Sequence, residues 1–188
     1  MMDLLNNTRR DENFYINWQE LQGETINLYN YWNSAILDLN YLEIDKNNLV
    51  DFGKILDNLI IGIKNNSRVE TVKNLLGLYN KLIIYSESLN YDNYNQLLII
   101  KNNLLIAFAI VENENWTLTH EYILKSSENI TNMVNSIENN EYNQYNINQA
   151  YIAIKELENL INIKDLDIFY FKYNNAIEQI EKIKTGEV

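Results

Sequence analysis

No cysteine occurs in the 188-residue chain, so disulfides, thiolate metal sites and cysteine nucleophiles are excluded. Proline is also absent, where average usage of ~5% would be ordinary. Because an interior proline costs a helix about 3 kcal/mol, that absence suits a chain that is helical almost throughout. The five glycines are scattered, which leaves few places for tight β-turns and no glycine-rich phosphate loop. Basic residues are scarce: 15 Lys and Arg face 26 Asp and Glu, for a formal net charge of −11. Only Arg9, Arg10 and Arg68 are arginines. Such a surface repels phosphate and excludes a nucleic-acid binder of the usual electrostatic kind. Anionic membrane surfaces are disfavoured for the same reason. Long hydrophobic runs are missing too. The longest, Leu104 to Val111, falls well short of the ~20 residues that span a bilayer.

What remains is apolar, aromatic and periodic. With 46% apolar residues, the chain can bury a sizeable core. Phe14, Trp18, Leu21, Thr25, Leu28, Trp32, Ala35 and Leu39 step by four and three, the spacing that keeps one helical face toward a neighbour. Leu49, Phe52, Leu56, Leu59 and Ile63 repeat the pattern. Val69, Val72, Leu76, Tyr79 and Ile83 follow, then Leu97, Ile100, Leu104, Ala107, Phe108 and Val111. Further seams run through Trp116, His120, Ile123, Ser127, Ile130, Val134 and Ile137, and through Ile147, Ala150, Ile154, Leu157 and Ile161. Leu166, Phe169, Tyr173, Ala176, Ile180 and Ile183 form the last. Ser67 and Glu70 have the spacing of a capping box, and Asp92 and Asp165 are placed as N-caps.

These patterns predict an all-α, antiparallel up-and-down bundle of four long arms, over 1–41, 46–89, 93–138 and 146–184. Arms two and four are expected to be interrupted at Asn65–Ser67 and Lys164–Asp165, and arm three near Asn115. A single domain over 1–188 is expected. Its halves, 14–89 and 112–184, read as a duplication: Asn17-Trp18 parallels Asn115-Trp116, Asp57-Asn58-Leu59-Ile60 parallels Glu158-Asn159-Leu160-Ile161, and Tyr79-Asn80 parallels Tyr173-Asn174.

Motifs for chemistry are sparse. His120 is the only histidine. A ferritin-like site needs Glu-x-x-His pairs, and position 117 is threonine instead. Thr117 and Thr119 are close to His120 in sequence, and no nucleophile-elbow pattern surrounds any serine. Glu141 with Glu156, and Asp165 with Asp167, are carboxylate pairs that an acidic bundle produces as solvated faces. No catalytic residue, metal site or cofactor is expected. The stronger signal is the load of 14 tyrosines and three tryptophans. Trp18 and Trp32 share a face at two-heptad spacing, Tyr29, Tyr31 and Tyr41 lie on the same arm, and Trp116 borders the break near Asn115. Aromatics with a polar tip suit both cores and binding surfaces. Trp18, Tyr29, Trp32, Trp116 and His120 are therefore the candidate ligand- or partner-binding residues.

The organisation Trp18, Leu28-Tyr29-Asn30-Tyr31-Trp32, Asp38-Leu39 resembles an uncharacterised helical domain in lipoproteins of low-GC Gram-positive bacteria. Asn143-Gln144-Tyr145-Asn146-Ile147-Asn148 with Glu156-Leu157 is similar to it as well, and the likeness spans roughly 14–184. The resemblance implies an extracytoplasmic body tethered to the membrane at its N-terminus. The chain departs from that pattern in carrying neither signal peptide nor lipid-bearing cysteine. The expected function is a non-enzymatic interaction or ligand-binding module, the body of a surface lipoprotein, with a protein or a small neutral or cationic ligand as partner. The competing expectation is a cytoplasmic regulatory or scaffold bundle that acts by helix–helix association.

Overall fold

A computed structural model describes residues 16–42, 44–89, 92–136 and 141–183. The described residues are all-α, with no strand. Helices α1 (Trp18–Tyr41), α2 (Lys46–Lys64) and α3 (Arg68–Ser88) belong to one compact unit, Met1–Asn90. A second unit, Tyr91–Val188, holds α4 (Asp92–Val111), α5 (Trp116–Ser136), α6 (Glu141–Leu160) and α7 (Leu166–Glu181). No described helix is long and apolar enough to cross a membrane.

Short polar side chains start these helices by accepting an otherwise unpaired backbone N–H. Asn17 accepts from Glu20 at 3.2 Å, Asp45 from Asn47 at 3.0 Å, Asn115 from Leu118 at 3.2 Å and Asp165 from Ile168 at 2.9 Å. The Asp165 cap is the one its sequence predicted. The Ser67 capping box does not form, since Ser67 makes no side-chain cap bond. Its backbone serves the preceding helix instead. Asn66 takes a left-handed φ of 52°, its N–H donates to Ile63 at 3.0 Å, and that of Ser67 donates to Gly62 at 2.8 Å. This is a Schellman closure, with asparagine in the place usually given to glycine. The Asp92 side chain lies outside the described residues.

The expected interruptions fall where helices end, but each one reverses the chain. Across α2 and α3, Asn48 meets Tyr85, Asp51 meets Lys81 and Gly62 meets Glu70, so the two helices run antiparallel. The segment 46–89 is therefore a helical hairpin and not one arm with a kink. Only Asn65, Asn66 and Ser67 separate the two helices, and the left-handed turn at Asn66 takes the chain off the axis of α2. The same correction applies at Glu112–Asn115, where Glu114 has a φ of 56°, and at 161–165, where Lys164 has a φ of 55°. Ser126 donates to the Ile100 carbonyl at 3.1 Å across α4 and α5. Asn146 donates to the Lys182 carbonyl at 2.8 Å, and Lys172 pairs with Glu156, across α6 and α7. Helix α6 begins at Glu141, ahead of the 146 at which the sequence starts the fourth arm.

In the first unit α1 packs on α2, and α2 on α3. Trp32 stacks on Phe52 with ring centroids 4.2 Å apart, and Phe52 in turn meets Tyr85 at 5.9 Å. Leu21, Leu56, Leu59, Leu75 and Leu78 are buried in the same unit. Gly62 permits the close approach of α2 to α3. A Cβ there would stand 3.2 Å from both the Glu70 Cβ and the Thr71 backbone nitrogen.

The second unit closes on itself: α4 packs on α5, α5 on α6, α6 on α7, and α7 returns to α4. That last contact is antiparallel as well, with Tyr170 donating to Glu112 at 3.1 Å and Lys101 lying 3.9 Å from Glu181. Leu97, Leu98, Ile100, Leu104, Leu105, Phe108 and Val111 are all buried. They occupy more than one face of α4, as a helix with two apolar neighbours requires. Phe108 sits 4.9 Å from Tyr173 in an aromatic cluster completed by Phe169, Tyr170 and Trp116.

Candidate functional site

Each unit has a cleft of its own. In the first unit a cleft of about 360 Å³ opens between α1 and α2. From α1 it is lined by Gln22, Thr25, Ile26 and Tyr29, and from α2 by Asp57, Ile60, Ile63 and Lys64. Thr25 and Ile63 are buried and form its floor, while Ile26 remains 61% exposed at its edge. The Thr25 hydroxyl is occupied, donating to the Leu21 carbonyl at 2.7 Å. The floor is therefore effectively apolar. Asp57 and Lys64 stand seven residues apart on α2, which puts them two turns apart on the same side. Such a cleft can hold an apolar group, with one carboxylate and one ammonium to orient it.

The second cleft, of about 300 Å³, lies between α5 and α6 and is more polar. Ser127, Glu128, Thr131 and Asn132 of α5 line it with Lys155 of α6. Lys155 pairs with Glu158 at 2.9 Å. Burial pushes the Glu158 carboxyl up, but the Ser127 hydroxyl, Lys155 and the charge of His120 together outweigh it and hold the group below its ordinary 4.5. Ser127 is 1% exposed and faces Glu158 without a hydrogen bond of good geometry.

The five candidate residues are divided between the two units. Trp18, Tyr29 and Trp32 belong to the first unit, whereas Trp116 and His120 belong to the second. Tyr29 lines the α1/α2 cleft, and the other four line neither of the two clefts described above. Trp32 is 8% exposed and stacked on Phe52, which makes it a core residue. Trp18 is half-buried at the first turn of α1. Trp116 is half-buried too, and its ring meets the Phe169 ring edge-on at 6.2 Å. His120 is half-buried on α5 and acts on Glu158 through its charge. The neighbouring Thr119 hydroxyl is fully buried and donates to the Asn115 carbonyl at 2.9 Å. Among the described residues no three acidic or histidine side chains are grouped to hold a metal. Of the carboxylate pairs, Glu156 is bound to Lys172 and Asp165 serves as a cap, while the Glu141 side chain lies outside the described residues.

Sequence reasoning missed Ile26, Asp57, Ile60 and Lys64, because they fall outside the heptad seams it followed. The available signal was the set of apolar residues of α1 that lie off its buried seam. Ile26, Leu37 and Tyr41 are 61%, 66% and 83% exposed, and Tyr29 stands one turn from Ile26. Three turns of helix separate Ile26 from Leu37, about eleven residues at 3.6 per turn.

No family model, no curated protein and no solved structure matches the chain.

Proposed function

We propose that the chain is a non-enzymatic binding module whose first unit seats an apolar partner group in the cleft between α1 and α2. The observation that carries the reading is the cleft itself, with Thr25 and Ile63 on its floor, Ile60 and Tyr29 in its lining and Ile26 61% exposed at its edge. A concave, largely apolar cleft with a few polar groups at its rim is the usual form of a binding site. The resemblance to lipoprotein bodies adds a setting, an extracytoplasmic module held to a membrane by an N-terminal lipid.

The two halves support a common origin. Helices α1, α2, α3 and α5, α6, α7 follow one order, and Asn17 and Asn115 cap the helices that begin with Trp18 and Trp116 in the same way. Asp57 and Glu158 hold matching places beside the two clefts. An experimental structure with the two three-helix sets of opposite hand would overturn the duplication.

Nile red, a neutral dye that brightens in apolar clefts, tests the binding reading with the full chain. The expected result is enhanced emission that is lost in Ile26→Asp and Tyr29→Ala and kept in Phe171→Asp, which removes an exposed apolar residue of the second unit. Equal emission from all four proteins, each folded by circular dichroism, overturns it.

A further inference from the structure

We propose that the α5/α6 cleft of the second unit is a site for a small organic cation bearing primary ammonium groups, separate from the apolar binding reading above. Leu124, Ser127, Glu128 and Thr131 recur at three- and four-residue steps, so they share one face of α5. With Asn132 they line a space of about 300 Å³, which Lys155 borders from α6. Ser127 sets this space apart from a merely solvated groove. The residue lines the cleft at 1% exposure, and its Oγ has no hydrogen-bond partner. Glu158 faces it without closing the bond. A helical serine or threonine ordinarily satisfies itself on the carbonyl four residues back, as Thr131 does on the Ser127 carbonyl at 2.6 Å. A buried hydroxyl left unpaired is costly, and a bound donor removes that cost.

Hydrogen-bond capacity and charge select the occupant. Thr131 has committed its proton to the Ser127 carbonyl, so its oxygen keeps only acceptor lone pairs. The Glu128 carboxylate accepts only, is exposed, and makes no ion pair among the described residues. Lys155, the cation of the lining, is already held by Glu158 at 2.9 Å. Acceptors therefore outnumber donors, and the carboxylates of Glu128 and Glu158 exceed the single ammonium of Lys155. An ammonium guest is all donor and brings the missing charge, in charge-assisted bonds. An anion would meet both glutamates. Magnesium or calcium would need about six or more oxygen ligands, and among the described residues no three acidic or histidine side chains are grouped to hold a metal.

The test follows backbone amide resonances of the full, isotope-labelled chain during titration with putrescine, a linear diamine, and in parallel with acetate and with glycerol. Salt is kept at ~0.15 M, where attraction between exposed charges is screened beyond about 8 Å. The expected result is a saturable set of shifts around residues 124–132 and Lys155 with putrescine, and none there with acetate or glycerol. Glu128→Gln is expected to weaken putrescine at least about tenfold through loss of a charge-assisted contact. Ser127→Ala is expected to weaken it about threefold or more while the ligand-free protein keeps its thermal midpoint, since no bond is lost without the ligand. Asp38→Asn removes the same charge from the first unit and is expected to change nothing. Equal weakening by Glu128→Gln and Asp38→Asn would show attraction to net charge alone and overturns the site. Unchanged affinity in either cleft variant overturns it too, as does the absence of shifts with putrescine. Acetate moving these amides assigns the cleft to an anion held by Lys155, and glycerol moving them assigns it to a neutral polyol; each outcome overturns the cation.

Discussion

The Tyr85 hydroxyl donates to the backbone carbonyl of Asn48 at 2.8 Å and ties the last turn of α3 to the first turn of α2. Burial, and after it the charge of Asp51, pushes this phenol well above its ordinary value of 10.0. Tyr85→Phe keeps the ring against Phe52 and removes only the bond. We expect a loss of about 1 kcal/mol in urea unfolding at neutral pH. The pH profile follows from the same shift. Below 10.0 the group is protonated in folded and unfolded chains, and its full contribution is present. Above that value the unfolded chain releases the proton first, so stability falls as pH rises. Tyr85→Phe should remove this part of the alkaline decline, and an unchanged decline counts against the assignment.

Trp32 and Phe52 supply the second prediction. Because Trp32 is buried and stacked, Trp32→Ala is expected to cost about 3–5 kcal/mol. The protein should unfold at much lower denaturant while Nile red binding to the folded fraction persists. A stable Trp32→Ala that has lost dye binding would return Trp32 to the binding surface.

Two glycines should respond with opposite signs. Gly23 lies in α1 with open space where a Cβ would stand, so Gly23→Ala should stabilise by about 0.5–1 kcal/mol through helix propensity. Gly62→Ala meets the Thr71 backbone nitrogen at 3.2 Å, and backbone cannot step aside as a side chain can. Its thermal midpoint is expected to fall despite the same gain in propensity. Stabilisation by both substitutions would show that α2 and α3 separate easily.

Glu158 links the polar cleft of the second unit to acid stability. Its carboxyl is held below its ordinary 4.5, so its contribution is complete above that value and is lost as pH falls through the folded one. Glu158→Gln should lower stability at neutral pH and flatten the acid limb of the profile. Urea midpoints measured between pH ~3 and ~7 decide it, and a parallel limb in the variant refutes the role.

Much of the fold could be read directly. Absent proline, seams at three- and four-residue spacing and the Asp165 cap all depend on local backbone chemistry, which acts over one or two turns. They placed the helices and the breaks at Asn65–Ser67, Glu112–Asn115 and Lys164–Asp165. The site was less legible. Trp32 falls on the helical seam and Tyr29 does not, so periodicity separates the buried ring from the exposed one, but nothing local shows that Tyr29 borders a cleft. Which face of α1 meets Phe52 decides that.

The sequence by itself determined an acidic all-α chain without disulfides, because composition and helical periodicity are sums over local terms. The tertiary structure alone decided that each break is a reversal, since direction after a turn depends on which apolar faces find each other. It likewise decided the two-unit grouping of contacts, the stacking of Trp32 on Phe52 and the cleft at Ile26 and Asp57. These are properties of pairs of residues distant in the chain, and no local preference encodes them.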